Sequence, residues 1–295
     1  MDLHCSRRSV LLILPAAAFP AQLFAFPDGR VTTEEELRAI ERGIGGQLGV
    51  SALDTGSGRR LGYRADERFA MCSTFKLLLA GCILHKIDTK ELQLHTPIRY
   101  TEKDLLAYAP MTRAHVQQGA MAVGELCAAA VEASDNTAAN LLLAQVGGPA
   151  GLTAFLRGMG DGVTRLDRTE PELNTALPRD PRDTTSPAAM AGSMEKLLTG
   201  NVLSAAGQAQ LIDWLTQSTT GARRLRAGIP SSWRAGDKTG TGERGAIGDV
   251  GIFWPPHGSP ILIAAYVMGG SAGLIERESA IAAVGRLVAG RFGPI

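Results

Sequence analysis

The sequence predicts an α+β chain in which a discontinuous sheet-and-helix domain is interrupted by an all-helical one. Three observations support this. Strand-like segments lie near both ends of the chain, the stretch between them has helical periodicity, and a long loop rich in Pro, Arg and Asp spans residues 161–185 within that stretch. Residues 26–66 and 216–295 form the α/β part in this reading, and residues 67–215 the all-α part. A cleft between two such parts is the expected ligand site.

The first 25 residues read as an export leader. Arg7 and Arg8 precede an apolar stretch over residues 10–19, which is short and interrupted by Pro15, with Pro20 at its end. The paired arginines point to the twin-arginine route, and Leu23-Phe24-Ala25 offers a small residue for cleavage. Next, Thr33-Glu34-Glu35-Glu36 reads as a capping box opening a helix, with Leu37, Ile40 and Ile44 on one face. Residues 48–53 and 60–64 read as a hairpin around Asp54-Thr55-Gly56-Ser57-Gly58. Helices are expected over 75–87, 135–146, 187–198 and 205–215, the second ended by Gly147-Gly148-Pro149. Strand signals return over 234–241, 247–254 and 261–268, and a closing helix spans 276–291.

Bulk properties exclude several function classes. The 295 residues are 45% hydrophobic and 20% charged, enough for a sizeable core. Of 30 basic and 29 acidic residues, removal of the leader takes Arg7, Arg8 and Asp2. The resulting neutral balance argues against a nucleic-acid partner or an anionic membrane surface. Cys72, Cys82 and Cys127 remain, an odd number, so at least one is free or pairs between chains. The five histidines are scattered and no HExxH pattern occurs, so neither a metal nor another cofactor is expected.

Three short motifs carry chemistry. Ser73-Thr74-Phe75-Lys76 opens a helix, which puts Ser73 at the positive end of the helix dipole and Lys76 on the same side. A serine hydroxyl needs a nearby base, and a desolvated lysine can serve. Ser193-Met194-Glu195-Lys196 matches the same pattern and reads as ordinary helical surface. Ser134-Asp135-Asn136 stands at a helix start and alone would be a helix cap. Lys238-Thr239-Gly240, continued by Thr241-Gly242, ends a strand; alone it would be a charged sheet edge, but its glycines also admit a ligand close to the backbone.

In this order the motifs are those of class A β-lactamases and penicillin-binding proteins. The chain resembles a class A β-lactamase over essentially its whole mature length. Glu170-Pro171-Glu172-Leu173-Asn174, in the long loop, resembles the class A Glu-x-x-Leu-Asn motif that penicillin-binding proteins lack. The resemblance implies a five-stranded antiparallel sheet flanked by helices, a small-molecule β-lactam substrate and a monomer without a membrane partner in its mature form. It implies attack by Ser73, with Lys76 or Glu170 as base, an oxyanion hole from the Ser73 and Thr241 backbone N–H groups, and proton donation by Ser134. Glu170 then activates the deacylating water with help from Asn174. Asn136, Lys238, Thr239, Gly240 and Thr241 would hold the substrate, and Tyr108 would wall the cleft mouth. The runner-up activities are a D-alanyl-D-alanine peptidase and a non-hydrolytic β-lactam sensor.

Several expectations concern departures from relatives. Those that bridge cysteines at the positions of Cys127 and Ala80 have no counterpart here, and the partner that others pair with Cys72 is replaced by Gly242. Cys72 is therefore expected as a buried free thiol. An arginine that many relatives carry after the Lys-Thr-Gly strand is Ile247 here. Arg224 is the expected substitute for binding the substrate carboxylate, with Arg226 as competitor and the other arginines of this segment as surface charges. Arg168 and Asp183 are expected to pair across the base of the loop, and Pro171 to follow a cis bond.

Overall fold

The computed structural model describes residues 32–293, so the leader expected over residues 1–25 lies outside the described part. In chain order the first elements are α1 (Thr33–Ile44), β1 (Gln47–Asp54), β2 (Arg60–Tyr63), β3 (Phe69–Ala70) and α2 (Phe75–Asp88). Then come β4 (Pro97–Arg99), α3 (Pro110–His115), β5 (Ala120–Ala122), α4 (Val123–Glu132), α5 (Asn136–Gln145) and α6 (Gly148–Gly158). The remainder is β6 (Thr184–Thr185), α7 (Pro187–Leu198), α8 (Ala205–Thr216), α9 (Leu225–Gly228), β7 (Arg234–Thr241), β8 (Ile247–Trp254), β9 (Ile261–Met268) and α10 (Leu274–Phe292).

The main sheet has the order β2-β1-β9-β8-β7, with each neighbouring pair antiparallel. Both faces are covered, and the period-two alternation of a strand decides which side chain goes where. On β9, Ile261, Ile263, Ala265 and Val267 pack with Leu37 and Ile44 of α1 and Ile281, Val284 and Val288 of α10. Leu262, Ala264 and Tyr266 face the other way, into a core shared with Leu77 and Leu78 of α2 and Met190 and Met194 of α7. β7 is last in the sheet, so its outer edge can border a cleft.

The long strands and the helices α2, α5, α7, α8 and α10 fall within a residue or two of expectation, and several other features differ for identifiable reasons. α1 starts at Thr33, so the cap position is Thr32 rather than Thr33. Gly147-Gly148-Pro149 ends one helix and also opens another: Gly147 adopts a left-handed φ of 86°, and Pro149 sits in the first turn of α6. α4 begins where Glu125 accepts the Ala122 N–H at 2.8 Å, a half-box without Ser or Thr. Residues 67–215, expected to be all helical, also carry two small antiparallel ribbons, β3–β6 and β4–β5. The β3–β6 ribbon pairs Phe69 with Thr185 and Ala70 with Thr184. The Met71 N–H donates to the Asp183 carbonyl at 3.0 Å. The end of the long loop is thereby fastened to the residues just before Ser73.

The second Ser-x-x-Lys match is not surface. Ser193 is buried on α7 and its Oγ donates to Asp161 Oδ2 at 2.8 Å, while Lys196 Nζ donates to the Met159 carbonyl. Both fix the turn where α6 enters the long loop.

Candidate active site

Ser73 lies in a 3-10 turn, Cys72–Thr74, that runs directly into α2. Cys72 is forced to a φ of 46°, and Ser134 to 57°. Side-chain-bearing residues pay about 1–3 kcal/mol for such conformations, which persist where the surroundings over-determine them. Around Ser134 this is the case: Asp135 caps α5 through Ala138 N–H at 2.9 Å and also accepts Met111 N–H at 3.0 Å and Thr112 N–H at 2.9 Å. With Asp135 acting as the cap, Ser134 and Asn136 are turned into the cleft.

The groups converge on two buried amines. Lys76 Nζ donates to the Ser134 carbonyl at 2.9 Å and to Asn136 Oδ1 at 2.6 Å, and stands 3.0 Å from Glu170 Oε1. Ser73 Oγ donates to the same Glu170 oxygen at 3.2 Å. Lys238 Nζ donates to Ser134 Oγ at 3.0 Å. Burial holds the Lys76 ammonium below its ordinary range, although the Glu170 carboxylate pulls it back up. Lys238 is pushed down further, by burial and then by the charge of Lys76. An amine so tuned can exchange a proton with a hydroxyl in contact with it.

Glu170 is held by its backbone as well as by its carboxylate. Asn140, one turn after Asn136 on α5, donates from Nδ2 to the Glu170 carbonyl at 2.9 Å and accepts the Glu170 N–H at 3.0 Å. Asn174 Nδ2 reaches Glu170 Oε2 at 2.5 Å, and Asn174 Oδ1 is buried without a partner among the described residues. The Glu170-Pro171 bond is cis, as expected. Arg168 and Asp183 pair as expected, Nε to Oδ2 at 2.6 Å, and Asp183 Oδ1 also accepts the N–H groups of Asp167 and Arg168. Arg168→Ala leaves a buried carboxylate short of its charge partner, and we expect a loss of about 1–3 kcal/mol. Thermal denaturation checks this, and an unchanged midpoint would count against the loop's dependence on the pair.

The opposite wall is β7. A Cβ on Gly240 would stand 2.6 Å from the Met71 carbonyl oxygen and 3.2 Å from Ser73 N, so only glycine lets the strand come this close. Thr239 Oγ1 lies 2.7 Å from Thr220 Oγ1. Arg224 is buried, donating from Nη1 to the carbonyls of Gly240 at 2.7 Å and Gly248 at 2.8 Å, and from Nη2 to Thr241 Oγ1 at 2.7 Å. Ser73, Ser134, Asn136, Asn174, Thr239, Thr241 and Arg224 line one cleft of about 510 Å³, with the half-exposed Tyr108 at its rim. Ile247 is buried in the sheet core and offers nothing to it.

Of the neighbouring arginines only Arg223 fits the expectation of a surface charge. Arg226 does not: it donates to Asp237, whose side chain is fully buried. Three cleft residues escaped the sequence reading, Thr220, Leu274 and Glu278, and so did Asn140 behind Glu170. Asn140 alone left a trace, an Asn at helical spacing from Asn136 in an otherwise apolar helix.

Behind β7, Asp237 and Asp249 lie on one face of adjacent strands, diagonal in a register that pairs Thr239 with Asp249. Burial pushes both carboxyls above their ordinary 3.8, Asp249 well above with help from the charge of Asp237. A carboxyl with a raised folded-state pKa binds its proton more tightly when folded. Stability is therefore lost as pH rises from about 4 through the folded value. Asp249→Asn keeps an acceptor for the Leu225 N–H, bonded at 2.9 Å, and removes the charge. Its urea-denaturation stability should fall less with rising pH than that of the wild type; parallel profiles would refute the assignment.

Cys72, Cys82 and Cys127 are all free and buried, as expected for the first and for the absent bridge. Burial pushes the Cys72 thiol up to about 12, which leaves it inert beside Ser73. Among the described residues no group of His, Cys, Asp or Glu is arranged to hold a metal ion.

Comparison with known proteins agrees with this geometry. Residues 32–292 match the model of the β-lactamase enzyme family. The chain is 45% identical over 278 residues to β-lactamase L2 of Stenotrophomonas maltophilia, covering 94% of this chain and 91% of that protein. An ancestral class A β-lactamase superposes with a TM-score of 0.86 at 54% identity, over 88% of this chain and 99% of that one. The class A β-lactamase of the last common ancestor of Gram-negative bacteria does so at 0.86 and 56%, over 88% and 98%. By the family match, the sequence identity and the shared fold, the chain belongs to the class A serine β-lactamases.

Proposed function

We propose that this chain opens the β-lactam amide bond of penicillins and cephalosporins through an ester on Ser73, and that the ester is cleared by a water activated by Glu170. The observation that carries the assignment of roles is the single Glu170 oxygen that receives Ser73 Oγ at 3.2 Å and stands 3.0 Å from Lys76 Nζ. Ser73 Oγ attacks the lactam carbonyl carbon and its proton passes to Glu170, with Lys76 as the alternative acceptor. The backbone N–H groups of Ser73 and Thr241 stabilise the developing oxyanion. As the C–N bond breaks, Ser134 gives its proton to the lactam nitrogen and is recharged from Lys76. Lys76 then takes the proton that Glu170 received from Ser73, so that Glu170 is again a carboxylate. Lys238 also touches the Ser134 hydroxyl. Glu170 then takes a proton from water, whose oxygen attacks the ester carbon; the bond to Ser73 Oγ breaks as that proton returns to it, and the unpartnered Asn174 Oδ1 supports the same water. Asn136 meets the substrate amide, Tyr108 its acyl side chain, and Lys238, Thr239, Thr241 and Arg224 its carboxylate.

In the same reading the mature chain acts as a monomer in the periplasm or outside the cell, exported behind residues 1–25, and its sheet domain comprises residues 26–66 and 216–295. The deciding experiment is turnover of a chromogenic cephalosporin by purified protein. Many equivalents should be hydrolysed per enzyme, and none by Ser73→Ala. A burst that stops at one equivalent would mean a sensor or a slow peptidase instead.

A further inference from the structure

α10 opens with two large apolar side chains in water: Leu274 is 44% exposed and Ile275 67%. Neither belongs to the two main core clusters. Leu274 lines the cleft with Ser73, Thr239, Thr241 and Arg224, whereas Ile275 does not. Its position is fixed by the helix. Leu274 and Glu278 are four residues apart and share a face, and Glu278 Oε1 lies 3.4 Å from Arg224 Nε. Arg224 in turn donates to Thr241 Oγ1 at 2.7 Å. Leu274 therefore stands one helical turn beyond the end of the cleft where the substrate carboxylate is held.

The chemistry of the substrate ring says what meets it there. In a cephalosporin the carboxylate is on one end of the ring double bond and the variable substituent on the other. The two groups leave neighbouring carbons in nearly the same plane. When Lys238, Thr239, Thr241 and Arg224 hold the carboxylate, the substituent lies beside it. An apolar side chain does nothing for the anion but can cover an uncharged neighbour.

Resting on the function proposed above, we propose that Leu274 is a specificity residue that receives the substituent next to the carboxylate and favours cephalosporins with a bulky apolar group there. The test uses two cephalosporins identical except at that carbon, one bearing hydrogen and the other an aromatic thioether. Leu274→Ala should lower kcat/KM for the aromatic substrate by about three- to tenfold and leave the hydrogen-bearing one within about twofold. Leu274→Asp should lower the aromatic substrate further. Ile275→Ala, on the same turn but outside the cleft, should change neither. If wild-type protein hydrolyses both substrates and the Leu274 variants keep their ratio, the inference is wrong and the proposed function stands. If wild-type protein hydrolyses neither, both fall together.

Discussion

Glu170→Ala is expected to leave the enzyme acylated on Ser73. Lys76 owes the part of its basicity that survives burial chiefly to the Glu170 carboxylate beside it. Removing that carboxylate lowers the Lys76 pKa further, so more of the amine is neutral and able to take the Ser73 proton. Acylation therefore continues at a reduced rate. Deacylation has no such substitute, because the water loses the carboxylate oxygen that Asn174 positions. Turnover should fall by about 10²–10⁴, the usual contribution of a placed base. Intact-mass spectrometry should show a long-lived adduct of one substrate per chain. Fast multiple turnover by the variant would rule out this role for Glu170.

Arg224→Ala and Arg226→Ala should fail in different ways although the residues are two apart. Arg224 faces the cleft and the edge of β7, and a charge-assisted hydrogen bond from it to a substrate carboxylate is worth about 1.5–3 kcal/mol. Its loss should lower kcat/KM about ten- to a hundredfold, mostly through KM where the bond serves ground and transition states alike. Arg226 does not line the cleft and pairs with Asp237. Removing it strands a buried carboxylate, so the larger effect should be on thermal stability, with a smaller one on KM. Equal kinetic effects from the two variants, or a silent Arg224→Ala, would refute the division.

What was legible in the sequence follows from what each feature depends on. β8 and β9 are buried on both faces and read as largely apolar runs bounded by turns, whereas β7 is mostly polar and is marked instead by its Lys-Thr-Gly motif; α7 announces itself with Ser186 and Pro187. The two-residue ribbon β3–β6 exists only because its halves, 115 residues apart, meet in space, and no local pattern could signal it. α4 and α6 are rich in Ala and Gly and lack Ser or Thr caps, so their ends were silent. The site divides similarly. Ser73, Lys76, Ser134, Glu170 and Lys238 sit in short motifs whose spacing carries meaning, whereas Thr220 and Glu278 are single polar residues that gain a role only from Thr239 and Arg224. Arg226 was misjudged for the same reason, since its partner Asp237 lies on another element.

The bond from Met71 N–H to the Asp183 carbonyl, beside the β3–β6 ribbon, ties the strand before Ser73 to the base of the loop that carries Glu170. The attacking hydroxyl and the group that later clears the ester thus share one fastening, beside the separate hold that Asn140 has on Glu170. Substitutions at the loop base and in the segment leading to Ser73 share that fastening, so their effects will not sum. In an evolving population, a change that loosens the loop to admit a larger antibiotic also disturbs the serine. The second change that repairs it can then arise on either side of the fastening, far from the first in sequence.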